Sequence, residues 1–174
     1  MTSSSQTNAP TSAKSAARLA AVQALYEMDV SDTPSGDVLA AFLSQRWQGR
    51  AEAEFAAENE EDDDVTSSSL TEPDRDFFSL LVEGVIKEKA DIDPIIEAAL
   101  NKGWTISRLE VLLRAILRAG TFELLSRADI PARAVISEYV DVAHAFFEDN
   151  EPGLVNGVLD KLARRLREGE FQDS

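Results

Sequence analysis

Few side chains in this sequence could do chemistry, and none has the neighbours that catalysis requires. The chain has no cysteine and one histidine, His144, which excludes thiol nucleophiles and sites built from several histidines. It contains no glycine-rich phosphate loop, no H-E-x-x-H motif and no G-x-S-x-G motif. Asp62, Asp63 and Asp64 lie in a block of like charges, where a rigid catalytic geometry is not expected. The sequence therefore predicts a binding protein with no enzymatic activity, no metal and no cofactor.

Two ionisable residues next to apolar stripes have structural interpretations. His144 lies one position from such a stripe and is expected at the side or in the last turn of a helix. Glu123 projects near an apolar helix face, where a buried carboxylate must find hydrogen-bond donors. We predict a structural anchor at Glu123, with a role at an interface as the alternative.

Pairs of cations one helical turn apart could form a surface for nucleic acid. Lys14 and Arg18 lie near a predicted helix start, where free backbone N–H groups favour phosphate. Arg114 and Arg118 lie on a predicted polar face, where an ion-pair ladder with Glu110 is the favoured interpretation when they are considered alone. Together these cations are expected to share one rim of the molecule.

Aromatic and basic residues at two further helix ends extend this surface. One of Phe146 and Phe147 could stack on an unpaired base; Phe146 is expected in the core, and Phe147 is expected to be the more exposed ring. The last predicted helix ends in four basic residues, which suit its own dipole: Lys161, Arg164, Arg165 and Arg167.

The elements that must position these residues are helices. Apolar residues recur at helical spacing in seven segments: 14–30, 37–47, 74–90, 95–101, 108–127, 134–147 and 154–169. Ser12 is the predicted cap of the first helix, and Thr105 or Ser107 the predicted cap of the fifth. Asn156-Gly157 is typical of a hairpin, but neither flank alternates with a period of two, so a helix is predicted there. The prediction is an all-α domain of about seven helices.

The charge is unevenly distributed over 174 residues, a length that fits one domain. The net charge is −15, and residues 49–72 alone contribute −8 from nine acids and one arginine. We predict an uncharged disordered tail at 1–13, a domain at 14–168 with a solvated acidic loop at 49–72, and a short tail at 169–174. No apolar run reaches the roughly 18 residues of a membrane span, and the lack of cysteine suits a reducing cytoplasm.

Four segments, in this order, resemble the NusB family of bacterial transcription antitermination factors: KSAARLAAVQALYEMD, RLEVLLRAILRAGTFELL, DIPARAVISEYVDVAHAFF and LVNGVLDKLARR. The resemblance implies two packed three-helix bundles sharing a long helix, without catalytic activity. It also implies a heterodimer with NusE, a ribosomal small-subunit protein, that binds single-stranded boxA RNA of ribosomal RNA leaders. Other Nus factors and RNA polymerase would complete the assembly.

The resemblance further implies two sets of site residues. Those on the RNA side are Lys14, Arg18, Tyr26, Arg118, Phe146 and Asn150. Those toward the partner are Phe77, Phe78 and Arg114. Some members have a dense arginine run at the start of the first helix, whereas residues 15–17 here are uncharged. We therefore expect weak RNA affinity without NusE and a shallow dependence on salt, because fewer counterions are released.

Other functions stay open on the sequence alone. The chain could be an accessory RNA-binding domain of an rRNA-modifying system, since rRNA methyltransferases carry a NusB-like domain. It could be a helical module that binds only proteins, with Arg114 and Arg118 simply solvated. A calcium buffer is a further alternative, although residues 58–69 lack the glycine and ligand spacing of an EF-hand. A homodimer is the alternative assembly, because some relatives self-associate.

Overall fold

The computed structural model describes residues 12–46 and 73–172. Its six α-helices are α1 (Ala13–Val30), α2 (Ser35–Ala41), α3 (Arg75–Ala99), α4 (Val111–Ser126), α5 (Ala132–Phe146) and α6 (Glu151–Leu166). A π-helical turn follows α2 at Phe42–Arg46, and short 3-10 turns lie at Ile106–Arg108 and Glu168–Phe171. No strand occurs in these two ranges, so the all-α prediction is confirmed.

Parts of the predicted organisation lie outside the described residues. These parts are the tail up to residue 11, Trp47 at the end of the second predicted helix, the acidic loop 49–72 and the last two residues of the chain. Ala13, assigned to the tail by the sequence, is instead the first residue of α1 and follows the predicted cap Ser12.

The helix count differs from seven because the predicted helices 74–90 and 95–101 are one continuous helix, α3, with Pro94 inside it. A proline within a helix removes one backbone hydrogen bond and crowds the preceding turn, which normally ends or kinks the helix. Here Ile92 and Ile96 are fully buried on either side, and the Asp93 carboxylate accepts two hydrogen bonds from Arg118. These contacts hold the turn in place.

The first helix cap is predicted correctly and the fifth is not. The Ser12 hydroxyl accepts a hydrogen bond from the Ser15 N–H at 3.0 Å, as expected of an N-cap. The hydroxyls of Thr105 and Ser107 are 3.0 Å apart and bond to each other. Neither therefore caps a helix, and α4 begins only after Glu110, which makes no capping bond.

The last helix begins earlier than predicted. Glu151 is the first residue of α6, and Pro152 lies in its first turn, where the missing N–H of proline does no harm. Asn156 and Gly157 lie within α6, as the hydrophobic period predicts.

The helix α4 lies at the centre of the molecule. It contacts α1 and α3 on one side and α5 and α6 on the other, and every residue from 115 to 124 is buried. This arrangement agrees with the predicted pair of helix bundles, with α4 in contact with both. Within the described ranges, no helix has the length and apolarity that would let it cross a membrane.

Two glycines allow the close approach of helices to α4. A Cβ added to Gly84 of α3 would lie 2.1 Å from Cζ of Phe122, and one added to Gly120 of α4 would lie 2.9 Å from a methyl of Leu159 on α6. Both distances are shorter than side chains normally show, so a larger residue at either position would force Phe122 or Leu159 to move.

Candidate nucleic-acid interface

Arg18 is part of the buried contact between α1 and α4, although the sequence predicts it on an accessible rim with Lys14. Its Nε donates to both carboxylate oxygens of Glu123, at 3.0 and 3.2 Å. The relative exposures are 4% for Arg18 and 0% for Glu123. The prediction that Glu123 is a structural anchor is confirmed, and the guanidinium of Arg18 is not available to an external phosphate.

Further polar groups surround this buried pair. The Ser15 hydroxyl donates to Glu138 at 2.8 Å, and the same carboxylate lies 3.6 Å from Nη1 of Arg18. Burial is the largest single influence and lowers the pKa of Arg18, but the hydrogen bond to Glu123 and the charges of Glu123 and Glu138 together outweigh it, so the pKa is raised overall. Burial, reinforced by the charge of Glu123, raises the pKa of Tyr139 well above 10. The cluster is a buried ionic network that joins α1, α4 and α5.

Arg118 is also internal, which corrects its predicted place in a solvent-facing ladder with Glu110. Its Nε and Nη2 donate to the two carboxylate oxygens of Asp93 at 2.8 and 3.0 Å, and its Nη1 donates to Asp29 at 2.9 Å. Its relative exposure is 6%. The predicted polar face of α4 is covered because α1 and α3 each supply an acid that meets the guanidinium.

The rings expected to face a partner lie in the core. Phe78 is fully buried and stacks on Phe42, with 5.8 Å between ring centroids. Phe77 is 3% exposed. The structure corrects the expectation that Phe77 and Phe78 face a partner, because both lie on the side of α3 that packs inward. Arg114 is half-buried, and its Nε has no acceptor among the described residues.

Four of the predicted RNA-side residues are accessible. Lys14 and Asn150 are exposed, Tyr26 is 38% exposed, and Phe146 is 36% exposed. Phe147 is half-buried against the core, so the predicted order of exposure of these two rings is reversed. The helix α5 ends at Phe146, and the extended backbone at the next residue turns Phe147 inward. His144 is exposed in the last turn of α5, as predicted.

Three cations surround the ring of Phe77, an arrangement that we call the Phe77 cation cluster. Lys14 Nζ, Arg18 Cζ and Arg127 Cζ lie 5.9, 5.1 and 5.4 Å from the ring centroid. At these distances the ring face attracts each cation. The predicted rim of Lys14, Arg18 and Arg118 is therefore wrong, because Arg18 and Arg118 are buried. The accessible cations at this place are Lys14 and the half-exposed Arg127.

Arg127 was missed by the sequence analysis. It follows the last residue of α4 and donates to both oxygens of Asp129 at 2.8 and 2.9 Å, which lowers the pKa of Asp129 to about 2. The only sequence feature that could have indicated a role for Arg127 is its position as a cation in the short connection before Asp129-Ile130-Pro131. Asp74 and Asp76 line the same surface pocket as Lys14, so the local charge is mixed.

The fold and this surface define the class of the protein: an all-helical binding protein with an exposed lysine, a half-exposed arginine and accessible aromatic rings. Among the described residues, no three histidine or acidic side chains are grouped as metal ligands would be. The model of the NusB family matches residues 15–164, and the chain belongs to this family.

Individual relatives agree with this assignment. The chain is 47% identical over 158 residues to a transcription antitermination protein NusB of Nitrobacter hamburgensis, covering 91% of this chain and 90% of the relative. It is 46% identical, over 91% and 85% of the two chains, to the protein of the same name in Rhodopseudomonas palustris strain BisB18.

Solved structures show the same fold. The NusB of T. maritima superposes with a TM-score of 0.68 at 24% identity, covering 91% of this chain and 96% of the other. A crystal structure of antitermination factors NusB and NusE in complex with dsRNA gives a TM-score of 0.60 at 24% identity, with coverage of 87% and 96%.

Proposed function

We propose that this chain is a transcription antitermination factor that binds boxA RNA together with NusE and suppresses termination by RNA polymerase. The similarity along 91% of the chain to antitermination proteins carries this proposal. A structural relative in complex with NusE and dsRNA supports NusE as the partner and RNA as the class of ligand. The matches cover 90% and 85% of these two relatives, so the relatives are only slightly longer than the matched region. We therefore favour this role over that of an accessory domain of an rRNA-modifying enzyme.

The accessible residues supply the contacts in this proposal. Lys14 offers an ammonium group to phosphate, and the rings of Tyr26 and Phe146 offer faces or edges to unpaired bases. Asn150 is exposed at the start of α6, and its side chain makes no capping bond, so its amide can bond to a base edge. Few cations reach solvent here, so NusE should supply much of the affinity.

Arg114 is the remaining candidate on the partner side. It is half-buried on α4, and its Nε meets no acceptor in the described part of the chain. The residue as a whole is partly accessible on α4, so it can meet an acidic group of NusE. We assign Arg114 to the interface with NusE.

The proposed function requires no catalytic step. It fits a cytoplasmic protein that works with other Nus factors.

The direct test is fluorescence polarisation of a labelled single-stranded RNA that contains boxA. Binding is measured with and without NusE, against a scrambled strand and against a duplex of the same sequence. We expect the complex with NusE to bind the boxA strand more tightly than either protein alone and more tightly than the scrambled strand. Equal affinity for both strands, or no gain from NusE, would refute the proposal; preference for the duplex would refute its single-stranded form.

A matched pair of lysine variants tests the surface. Lys14→Gln removes the exposed ammonium beside Phe77, and we expect weaker binding and a salt dependence shallower by about 0.7 in log–log slope for one lost contact to a single strand. Lys102→Gln is the control, because this lysine is exposed beyond the other end of α3, about 37 Å away along a 25-residue helix. Equal effects of the two variants would show that the surface is wrongly placed.

A further inference from the structure

The guanidinium of Arg167 collects the backbone carbonyls at the end of α4. It donates to Leu124 O at 2.9 Å, Arg127 O at 2.7 Å, Ile130 O at 2.6 Å and Glu123 O at 3.3 Å. Its side chain is only 7% exposed. One residue that directly follows α6 therefore bonds to the last turn of α4 and to the connection between α4 and α5.

The contact supplies hydrogen-bond donors to backbone carbonyls at the end of α4. The last carbonyls of a helix lack partners within it and carry the negative end of its dipole. A planar guanidinium has five donors and here reaches four carbonyls, whereas an ammonium has only three donors. The sequence predicts that the basic end of the last helix interacts with that helix's own dipole, but Arg167 instead caps α4.

The turn that follows Arg167 strengthens this hold. One carboxylate oxygen of Glu170 lies 3.2 Å from Nη1 of Arg167, and the other accepts the N–H of Ala132, the first residue of α5, at 3.0 Å. The Phe171 ring lies against the guanidinium groups of Arg133 and Arg164, at 5.5 and 4.9 Å. Residues 167–171 thus tie the end of α4 to the start of α5.

The connection held in this way carries Arg127. The backbone carbonyl of Arg127 is bonded to Arg167, while its side chain extends over Phe77 beside Lys14. We propose that Arg167 is a positioning residue: by fixing the backbone of the α4–α5 connection, it holds Arg127 in the Phe77 cation cluster and thereby sets the affinity of this surface for RNA phosphate. The inference rests on the proposed function. A cation that is fixed before binding loses less conformational entropy when the phosphate arrives.

The experiment measures RNA binding by four variants with NusE, below the unfolding temperature of each: Arg127→Met, Arg167→Met, Arg167→Lys and the double variant R127M/R167M. We expect Arg127→Met to weaken binding and to make its salt dependence shallower by about 0.7 in log–log slope, as loss of one phosphate contact to a single strand would. Both Arg167 variants should weaken it nearly as much, and the double variant should bind no more weakly than R127M alone. Arg165→Met is the control, since Arg165 is a neighbouring exposed cation on α6.

A second measurement is independent of RNA. We expect the ring current of Phe77 to shift the NMR resonance of the Nε–H group of Arg127, which lies over the ring. Loss of Arg167 should move this resonance toward the chemical shift of an arginine that does not contact an aromatic ring. If Arg167→Met does not fold, Glu170→Gln weakens the same link more gently and should move the resonance and the affinity in the same direction.

The outcomes separate the two claims. If the wild type does not bind RNA with NusE, the proposed function fails and this inference fails with it. If the wild type binds and Lys14→Gln weakens binding while Arg127→Met does not, the inference alone is overturned. It is also overturned if folded Arg167 variants bind like the wild type, or if their effect adds to that of R127M.

Discussion

The guanidinium of Arg18 and the carboxylate of Glu123, 105 positions apart in the chain, form an ion pair in the core in which Nε donates to both carboxylate oxygens and Nη2 donates to Oε1. Arg18 is on the first helix and Glu123 on the central one, so the pair links the two helices. Because the pair lies in the core, it stabilises the fold. From the sequence alone, an arginine near the start of α1 instead looks like a residue that binds RNA.

Removing one member of this pair should strongly destabilise the protein. Arg18→Met leaves the Glu123 carboxylate buried without its main partner, and breaking a buried pair in this way costs about 3–5 kcal/mol. Urea unfolding followed by circular dichroism measures the change, and the double variant R18M/E123L should recover part of it because no charge is left unpaired. Arg165→Met is the control, since this arginine is exposed on α6 and an exposed cation contributes about 0–1 kcal/mol. A loss below 1 kcal/mol for Arg18→Met would contradict this account.

Arg118 should govern stability rather than RNA binding. Arg118→Lys keeps the charge but cannot bond to both oxygens of Asp93 and to Asp29 at once, so we expect a loss of about 1.5–3 kcal/mol in the free energy of unfolding. A folded Arg118→Met variant, which removes the charge, should bind RNA with the same salt dependence as the wild type. A shallower slope would show that Arg118 reaches the RNA after all.

Two glycine-to-alanine variants should have opposite effects. Gly84→Ala pushes a methyl group into the Phe122 ring, and overpacking of this kind costs about 1–3 kcal/mol. Gly157 lies within α6 with open space around it, so Gly157→Ala should stabilise the protein by about 0.5–1 kcal/mol through helix propensity. Thermal unfolding of both variants checks the prediction, which fails if Gly84→Ala raises the melting temperature.

The carboxyl group of Asp129 should titrate at low pH. The hydrogen bond from Arg127 lowers its pKa from 3.8 to about 2. Because the folded pKa is the lower one, the stabilisation is present above pH 4 and is lost as the pH falls from about 4 to about 2. Carboxyl carbon resonances followed by NMR measure the pKa directly, and Arg127→Met should raise it. The effect on stability should be small and sensitive to salt, since Asp129 is exposed. An unchanged pKa in the variant would exclude Arg127 as the cause.

Tyr139 should resist ionisation until the protein unfolds. Burial raises its pKa in the folded state well above 10, so its contribution to stability is complete below pH 10 and falls as the pH rises above that value. The chain has two tyrosines, so Tyr26→Phe leaves Tyr139 as the sole reporter of tyrosinate absorbance near 295 nm. We expect this absorbance to appear together with the loss of helical circular dichroism. Ionisation at pH 10 in a folded chain would show that the hydroxyl is accessible.

Local sequence patterns were sufficient for the helices and for the likeness to the family. The hydrophobic period of α1, α4, α5 and α6 depends on neighbours three and four positions apart, and so does the cap at Ser12, so both are readable without tertiary information. The break predicted near Pro94 was wrong because buried neighbours and the contact between Asp93 and Arg118 outweigh the local penalty of proline.

The tertiary structure alone decided which charged residues are accessible. The helical period of α4 assigns Arg118 to a polar face, but it cannot show that Asp29 of α1 and Asp93 of α3 converge on that face. The same limitation applies to Arg167, whose four carbonyl partners lie 37–44 positions earlier in the chain. A charged side chain is neutralised by groups that are close in space, and that proximity is created only when helices distant in sequence pack together.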